Sequence, residues 1–188
     1  MAEPVSPAPQ RRTLYLLLAL FFLPLVASFV LYYGVGWRPA GDTNHGQLLQ
    51  PMRQLPAQFA GKLDGQWALV YVGNGACGEA CRNAMYVARQ THVLLNKDSD
   101  RLGRVMLATA DCCDRAHLES QYAGLQLIDA SDAGSRATLE ALLPPGDHAN
   151  DLFIVDPLGN IVMRFDAREN PKGLLEDLKK LLKLSHIG

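Results

Sequence analysis

The sequence lacks an excess of charge of either sign. Its 188 residues include 18 basic and 19 acidic side chains, for a formal net charge of −1, and no long run has one sign. A nucleic-acid partner requires a basic surface, so this composition argues against one. The glycine-rich stretch Gly73–Gly75 lacks the Lys-Ser/Thr pair of a phosphate-binding loop, which argues against nucleotide binding. No internal repeat is visible.

The N-terminus contains a long apolar run. Leu14–Tyr33 is twenty residues without a charge, and at about 1.5 Å per residue a helix of this length spans the roughly 30 Å of a bilayer core. A cleaved signal peptide, with Val26–Ser28 as the cleavage site, is the alternative. Because the apolar run continues beyond Ser28, we favour an uncleaved anchor.

The charges that flank this run predict its orientation. Arg11 and Arg12 precede it, whereas Arg38 and Asp42 follow it. By the positive-inside rule, the N-terminus is expected in the cytoplasm. We therefore predict a single-pass protein of a bacterial inner membrane, with its C-terminal domain and all four cysteines in the periplasm, where unprotected thiols are oxidised.

From Gly61 onward, strand-like and helix-like patterns alternate. Such alternation is typical of a parallel sheet, and the turn Pro157–Asn160 predicts a closing hairpin, so we expect a mixed α/β sheet. The predicted strands are 67–72, 105–108, 125–128, 152–156 and 161–165, and the predicted helices are about 79–95, 115–122, 135–143 and 171–184. In the last helix, leucines form the packing face and Glu176, Asp177, Lys179 and Lys180 are expected outward.

This order of elements resembles a thioredoxin-like fold over residues 61–185. The predicted organisation has four parts. They are a cytoplasmic tail at residues 1–12, a transmembrane anchor at 13–35, a tether at 36–60 and the thioredoxin-like domain at 61–188.

Two cysteines, Cys77 and Cys81, follow the first predicted core strand at its junction with a helix. If both lay on the helix, their Cβ atoms would be about 5–6 Å apart, which suits two thiolates on a metal. A disulfide needs about 3.5–4.5 Å and requires Cys77 in the loop, which Gly75 and Gly78 permit. Metal binding, redox exchange and a merely stabilising disulfide all remain open.

A third ligand is available at His148, just before the strand predicted at 152–156. If that strand is antiparallel to the strand at 67–72, its start lies at the same sheet edge as the cysteine loop. Two thiolates and an imidazole suit copper, and also zinc. A solvated loop histidine is the alternative.

These motifs resemble the Sco/SenC family. The similarity rests on Cys77-x-x-x-Cys81, on Ala108–Asp111, on Gly124–Leu127 and on Asp147-His148 leading into Phe153–Asn160. The resemblance implies a membrane-anchored thioredoxin-like protein that binds one copper through Cys77, Cys81 and His148. It also implies partners: a copper-accepting subunit of a cytochrome c oxidase and a thioredoxin-like reductant.

The sequence departs from the family pattern in three respects, of which one is that the segment between the helix predicted at 135–143 and His148 is shorter than is typical. Gly78 stands where the family usually has proline, and the adjacent pair Cys112-Cys113 replaces the usual sequence at the end of a strand. Cys112 and Cys113 are expected near the Cys77 loop, either as resolving or transfer thiols or as two free thiols.

Two other functions compete with copper delivery. In a thiol-disulfide oxidoreductase, Cys77 attacks a partner disulfide as thiolate and Cys81 resolves the mixed disulfide. In a scaffold, the thioredoxin-like surface only docks a partner, and changing Cys77 leaves function intact. The spacing of three residues between the cysteines, and Ala149-Asn150 in place of a proline before the strand, favour metal binding over redox exchange.

Overall fold

The computed structural model describes residues 9–34, 36, 44–111 and 115–185, in two units divided between residues 42 and 43. In the first unit, helix α1 (Pro9–Phe29) continues into a π-helical turn, Val30–Gly34. The segment Arg11–Gly34 is long and apolar enough to cross a membrane, a property that anchors and signal sequences share.

The second unit is a six-stranded mixed sheet with helices on both faces. The strand order is β1-β6-β5-β2-β3-β4, in which β2, β3 and β4 are parallel and β5, β6 and β1 continue the sheet antiparallel. The strands are β1 Gln47–Gln54, β2 Trp67–Asn74, β3 Leu102–Ala110, β4 Leu125–Asp129, β5 Asp151–Val155 and β6 Asn160–Asp166. The helices are α2 Ala57–Ala60, α3 Glu79–Leu94, α4 Arg115–Gln121, α5 Ala133–Leu142 and α6 Pro171–Leu184, with a 3₁₀ segment at Asn96–Arg101. This confirms the predicted mixed α/β sheet.

Strand β2 lies at the centre and packs on both faces. Leu69 and Tyr71 contribute to the core with α3 and α6, whereas Ala68 and Val70 contribute to the core with α2 and α5. Alternate side chains of a strand point to opposite faces, so a strand covered on both sides is apolar throughout. The continuous run of Trp67–Val72 reflects this double burial.

The tether predicted at residues 36–60 instead contains β1 and α2, which belong to the domain. Strand β1 pairs with β6 at the edge of the sheet, and its register shifts between Leu48 and Arg53. Pro51 has no N–H to donate, which restricts it to an edge strand or an irregularity. The strand therefore carries no two-residue alternation, and of its residues only Leu49 is buried.

Helix α6 corrects a second expectation. Asp177, predicted to face outward, is buried and accepts hydrogen bonds from the backbone N–H groups of His45 (2.7 Å) and Gly46 (2.8 Å). Because a buried carboxylate needs donors, these two bonds stabilise it and attach the start of the domain to α6. A helical pattern of charges could not reveal that the chain before β1 covers this face.

The topology brings two loops to one edge of the sheet. Strand β5 is antiparallel to β2, with Val70 opposite Phe153 and Ala68 opposite Val155. The start of β5 therefore lies beside the end of β2, which leads into the cysteine loop. The predicted antiparallel relation of these two strands is confirmed.

Candidate metal and redox centre

The cysteine loop begins where β2 ends and is held by Asn74. The side-chain Oδ1 of Asn74 accepts a hydrogen bond from the backbone N–H of Ala76 (2.7 Å). The backbone carbonyl of Asn74 accepts one from the backbone N–H of Cys77 (3.1 Å). Asparagine favours such local turns. Helix α3 then starts after Gly78, its N-cap residue, so that Cys77 lies in the loop and Cys81 in the first turn of the helix.

Cys77 and Cys81 are joined by a disulfide, with their Cα atoms 5.0 Å apart. Cys77 has a left-handed backbone, with φ of +47°, which takes it out of the helical path. Of the two geometries that the sequence left open, the structure therefore adopts the one with Cys77 in the loop. Both cysteines are largely buried, at 5% and 3% exposure.

The end of β3 is hydrogen-bonded to the cysteine loop. The N–H of Gly75 donates to the carbonyl of Ala110 (2.7 Å), and the side-chain amide of Asn74 donates to the Asp111 carboxylate (2.7 Å). The predicted thiol pair, Cys112 and Cys113, lies outside the described residues.

His148 precedes β5 at the same edge of the sheet, and both of its ring nitrogens contact oxygen. Nδ1 lies 2.6 Å from Oδ2 of Asp151, and Nε2 lies 2.6 Å from the carbonyl oxygen of Pro144. The side chain is 12% exposed and packs edge-on against Phe153. In this conformation each ring nitrogen faces an oxygen atom, so neither one faces open space where a metal could bind.

Asp151 is a residue that the sequence reasoning missed. It is 1% exposed, and its Oδ2 also accepts a hydrogen bond from Nε of Arg164 at 2.6 Å. A carboxylate this deeply buried needs such charged donors. The spacing His148-x-x-Asp151 directly before a buried strand is the signal that could have revealed it.

His148 and Cys81 line one cleft, of about 410 Å³, together with Tyr71 and Asn74. The cleft is also lined by three carboxylates, from Glu79, Glu140 and Asp147, and by Thr109. Burial, and after it the charges of Asp147 and Asp151, raises the pKa of Tyr71, whose hydroxyl donates to the carbonyl of Ala149 (3.1 Å). The cleft therefore disfavours added negative charge and attracts cations.

The donor types at this cleft fit a soft metal, although their present arrangement does not hold one. Among the residues described, no three His, Cys, Asp or Glu side chains are grouped as metal ligands. The two sulfurs are bonded to each other, and Nε2 of His148 is engaged by Pro144. Thiolates and imidazole suit copper, so metal binding requires reduction of the disulfide and release of His148 from Pro144. The assignment of Cys77, Cys81 and His148 as ligands stays a prediction.

A mixed sheet with helices on both faces, and a cysteine pair at the start of the helix that follows its central strand, defines a thioredoxin-like protein. Residues 67–185 match the protein family described as transmembrane-like, thioredoxin-like, C-terminal domain. The chain belongs to this family. No curated protein sequence matches it.

Solved structures of Sco proteins share the fold. Apo Sco1 from Thermus thermophilus is 14% identical, with a TM-score of 0.58 over 76% of this chain and 99% of that one. ScoI from Bradyrhizobium japonicum with copper bound is 18% identical, with a TM-score of 0.51 over 69% and 96% of the two chains. Yeast Sco1 with copper bound is 13% identical, with a TM-score of 0.56 over 76% and 95%. At these identities the likeness concerns the fold, and at that level it confirms the predicted resemblance.

Proposed function

We propose that this protein is a membrane-tethered, Sco-like copper-binding protein that assists assembly of the copper site of a haem-copper oxidase. One observation carries the proposal: Cys81, which is bonded to Cys77, and His148 line one acidic cleft. Two sulfur donors and an imidazole are the ligands that copper prefers among side chains. The copper-bound Sco structures of the same fold support this choice of metal.

The disulfide form is the starting state of this function. A dithiol reductant breaks the Cys77–Cys81 bond by supplying two electrons and two protons, and it becomes a disulfide itself. The reduced protein then offers two sulfurs to one copper ion as cargo. The carboxylates of Glu79, Glu140 and Asp147 favour entry of the cation.

The N-terminal segment supplies the tether in this account. Helix α1 and the turn after it match the length of a bilayer span. With Arg11 and Arg12 on the cytoplasmic side, the domain faces the periplasm, where copper sites of membrane oxidases are accessible to it.

A thiol-disulfide oxidoreductase is the second candidate, and the Cys77–Cys81 bond itself favours it. The first turn of α3 stabilises a thiolate through its free N–H groups. In that case reduction and oxidation of the pair is the whole reaction, and His148 has no part in it.

The test is a copper(I) titration of the reduced full chain in detergent, against a competing chelator and without oxygen. The Cys112→Ser/Cys113→Ser background leaves one thiol pair to bind copper. In that background we compare the native loop with Cys77→Ser, Cys81→Ser and His148→Ala. His45→Ala serves as the control for loss of a histidine outside the cleft.

The proposal expects one tight copper ion per chain, lost with either cysteine, weakened in His148→Ala and unchanged in His45→Ala. Two results together would contradict the proposal and favour a thiol-disulfide oxidoreductase. They are weak copper binding that Cys77→Ser leaves unchanged, and rapid exchange of the disulfide with thioredoxin-like dithiols.

A further inference from the structure

The contacts of His148 distinguish its two ring nitrogens. Nδ1 faces the carboxylate of Asp151 and Nε2 faces the carbonyl of Pro144, each at 2.6 Å. An ionised carboxylate only accepts hydrogen bonds, so Nδ1 carries a proton in this arrangement. A histidine that binds a metal through one nitrogen commonly donates the other N–H to a carboxylate.

Asp151 is held rigidly enough to orient the ring. Its Oδ2 receives both Nδ1 of His148 and Nε of Arg164, and its backbone N–H donates to the carbonyl of His148 (3.0 Å). It is also the first residue of β5, which pairs with β6. Asp151 therefore cannot move away from His148 without disturbing the sheet.

The Pro144 carbonyl is the weaker of the two partners of His148. It lies in the loop between α5 and β5, outside regular secondary structure, whereas Asp151 is fixed within the sheet. A neutral carbonyl also binds an N–H less strongly than a carboxylate does. When the ring leaves one partner, we expect it to leave Pro144 and stay on Asp151.

We propose that Asp151 is a positioning residue, an inference that rests on the proposed function. Its carboxylate keeps the hydrogen bond from Nδ1–H of His148 and so presents Nε2 to copper. Copper binding at Nε2 then breaks the contact with the Pro144 carbonyl, and the proton that Nε2 donates in that contact is released to solvent. Arg164 orients the carboxylate and does not contact the metal.

A double-mutant cycle separates positioning from general structural damage. Copper(I) affinity is measured for native protein, Asp151→Asn, His148→Ala and the double variant, in the full chain with Cys112→Ser/Cys113→Ser. Loss of an outer-shell partner typically costs 10–100-fold in metal affinity. We expect about that loss for Asp151→Asn when His148 is present, and no further loss when His148 is already alanine.

Two further variants serve as controls for the ion pair between Asp151 and Arg164. Arg164→Gln removes the ionic partner of Asp151 but leaves the carboxylate on His148, so its copper affinity is expected to fall less than that of Asp151→Asn. Asp151→Asn/Arg164→Gln avoids an unpaired buried charge if the single variant fails to fold, and it should show the same loss as Asp151→Asn.

Nitrogen-15 NMR of the His148 ring gives a readout independent of affinity. Copper(I) should shift the Nε2 resonance and leave the Nδ1–H in place. Two results would overturn this inference and leave the proposed function intact. One is ligation of copper through Nδ1. The other is an additive cycle, in which Asp151→Asn lowers the copper affinity as much in the His148→Ala background as in the native protein. Absence of copper binding by the native protein would instead overturn the proposed function.

Discussion

Asp166 and Arg168 form an ion pair at the end of β6, and it gives the domain a defined response to acid. Arg168 donates to both carboxylate oxygens of Asp166, with Nε at 3.0 Å from Oδ1. These hydrogen bonds lower the pKa of Asp166 below its ordinary value. A pKa that is lower in the folded state adds stability above the unfolded value of about 4, and this stability is lost as the pH falls through the folded pKa.

We therefore predict that Asp166→Asn lowers the melting temperature at pH 6–7 and that the difference from native shrinks towards pH 2. The effect is modest because Arg168 is largely exposed. Thermal unfolding of the fragment 43–188, in which Trp67 is the single tryptophan of the sequence, measures it by fluorescence. A difference of constant size from pH 7 to pH 2 would show that the ion pair has no part in acid stability.

For single residues, the sequence predicted that Cys77, Cys81 and His148 lie at one edge of the sheet, but it did not predict what surrounds them. Cys77, Cys81 and His148 could be placed because two strands of opposite direction bring their loops to one edge. The left-handed backbone of Cys77 and the contacts of His148 with Asp151 and Pro144 depend on loop geometry. No periodic pattern encodes such geometry.

The junction of β2 and α3 explains why glycine suits position 78. Gly78 has φ of −64°, which proline also adopts, and a Cβ at this position would meet nothing within 4 Å. Cys77, however, has φ of +47°. A proline favours an extended backbone in the residue before it, so proline at position 78 conflicts with the conformation that Cys77 needs for this disulfide.

We predict that Gly78→Pro shifts the Cys77–Cys81 pair towards the dithiol by about fivefold or more, since an incompatible proline costs more than about 1 kcal/mol. Gly78→Ala, the matched control, should stay within about twofold of native. Thiol alkylation after equilibration with glutathione buffers, in the Cys112→Ser/Cys113→Ser background, gives the ratio. An unchanged ratio in Gly78→Pro would mean that the loop adapts without cost.

Regular elements were predictable to the extent that burial is periodic. Helix α6 and strands β2, β5 and β6 were found because one face or both faces are apolar. Strand β1 was missed because Pro51 interrupts it and because the chain just before it is held to α6 by backbone N–H groups, those of His45 and Gly46. Backbone donors leave no trace in a sequence pattern.

The domain as a whole starts before the predicted boundary at residue 61. Leu49, Leu55 and Phe59 are buried in the core that contains Val155 and Ile161. A fragment 61–188 lacks these three side chains and exposes the surfaces that they cover. Full burial of such side chains contributes about 1.5–3 kcal/mol each, so their loss removes much of the stability of a domain this size.

We expect the fragment 61–188 to lose roughly 4–9 kcal/mol relative to the fragment 43–188. Urea unfolding of the two fragments, followed by Trp67 fluorescence, measures the difference. Equal unfolding midpoints would show that β1 and α2 add no stability to the domain. They would support the original prediction that residues 36–60 are a tether.

The most direct test of the central claim is X-ray absorption spectroscopy of the copper(I)-loaded protein in the Cys112→Ser/Cys113→Ser background. The account predicts two sulfur neighbours and one imidazole nitrogen around each copper, with the nitrogen lost in His148→Ala and the sulfurs retained. A spectrum without sulfur neighbours, or one that Cys77→Ser leaves unchanged, would contradict a copper site built from Cys77, Cys81 and His148.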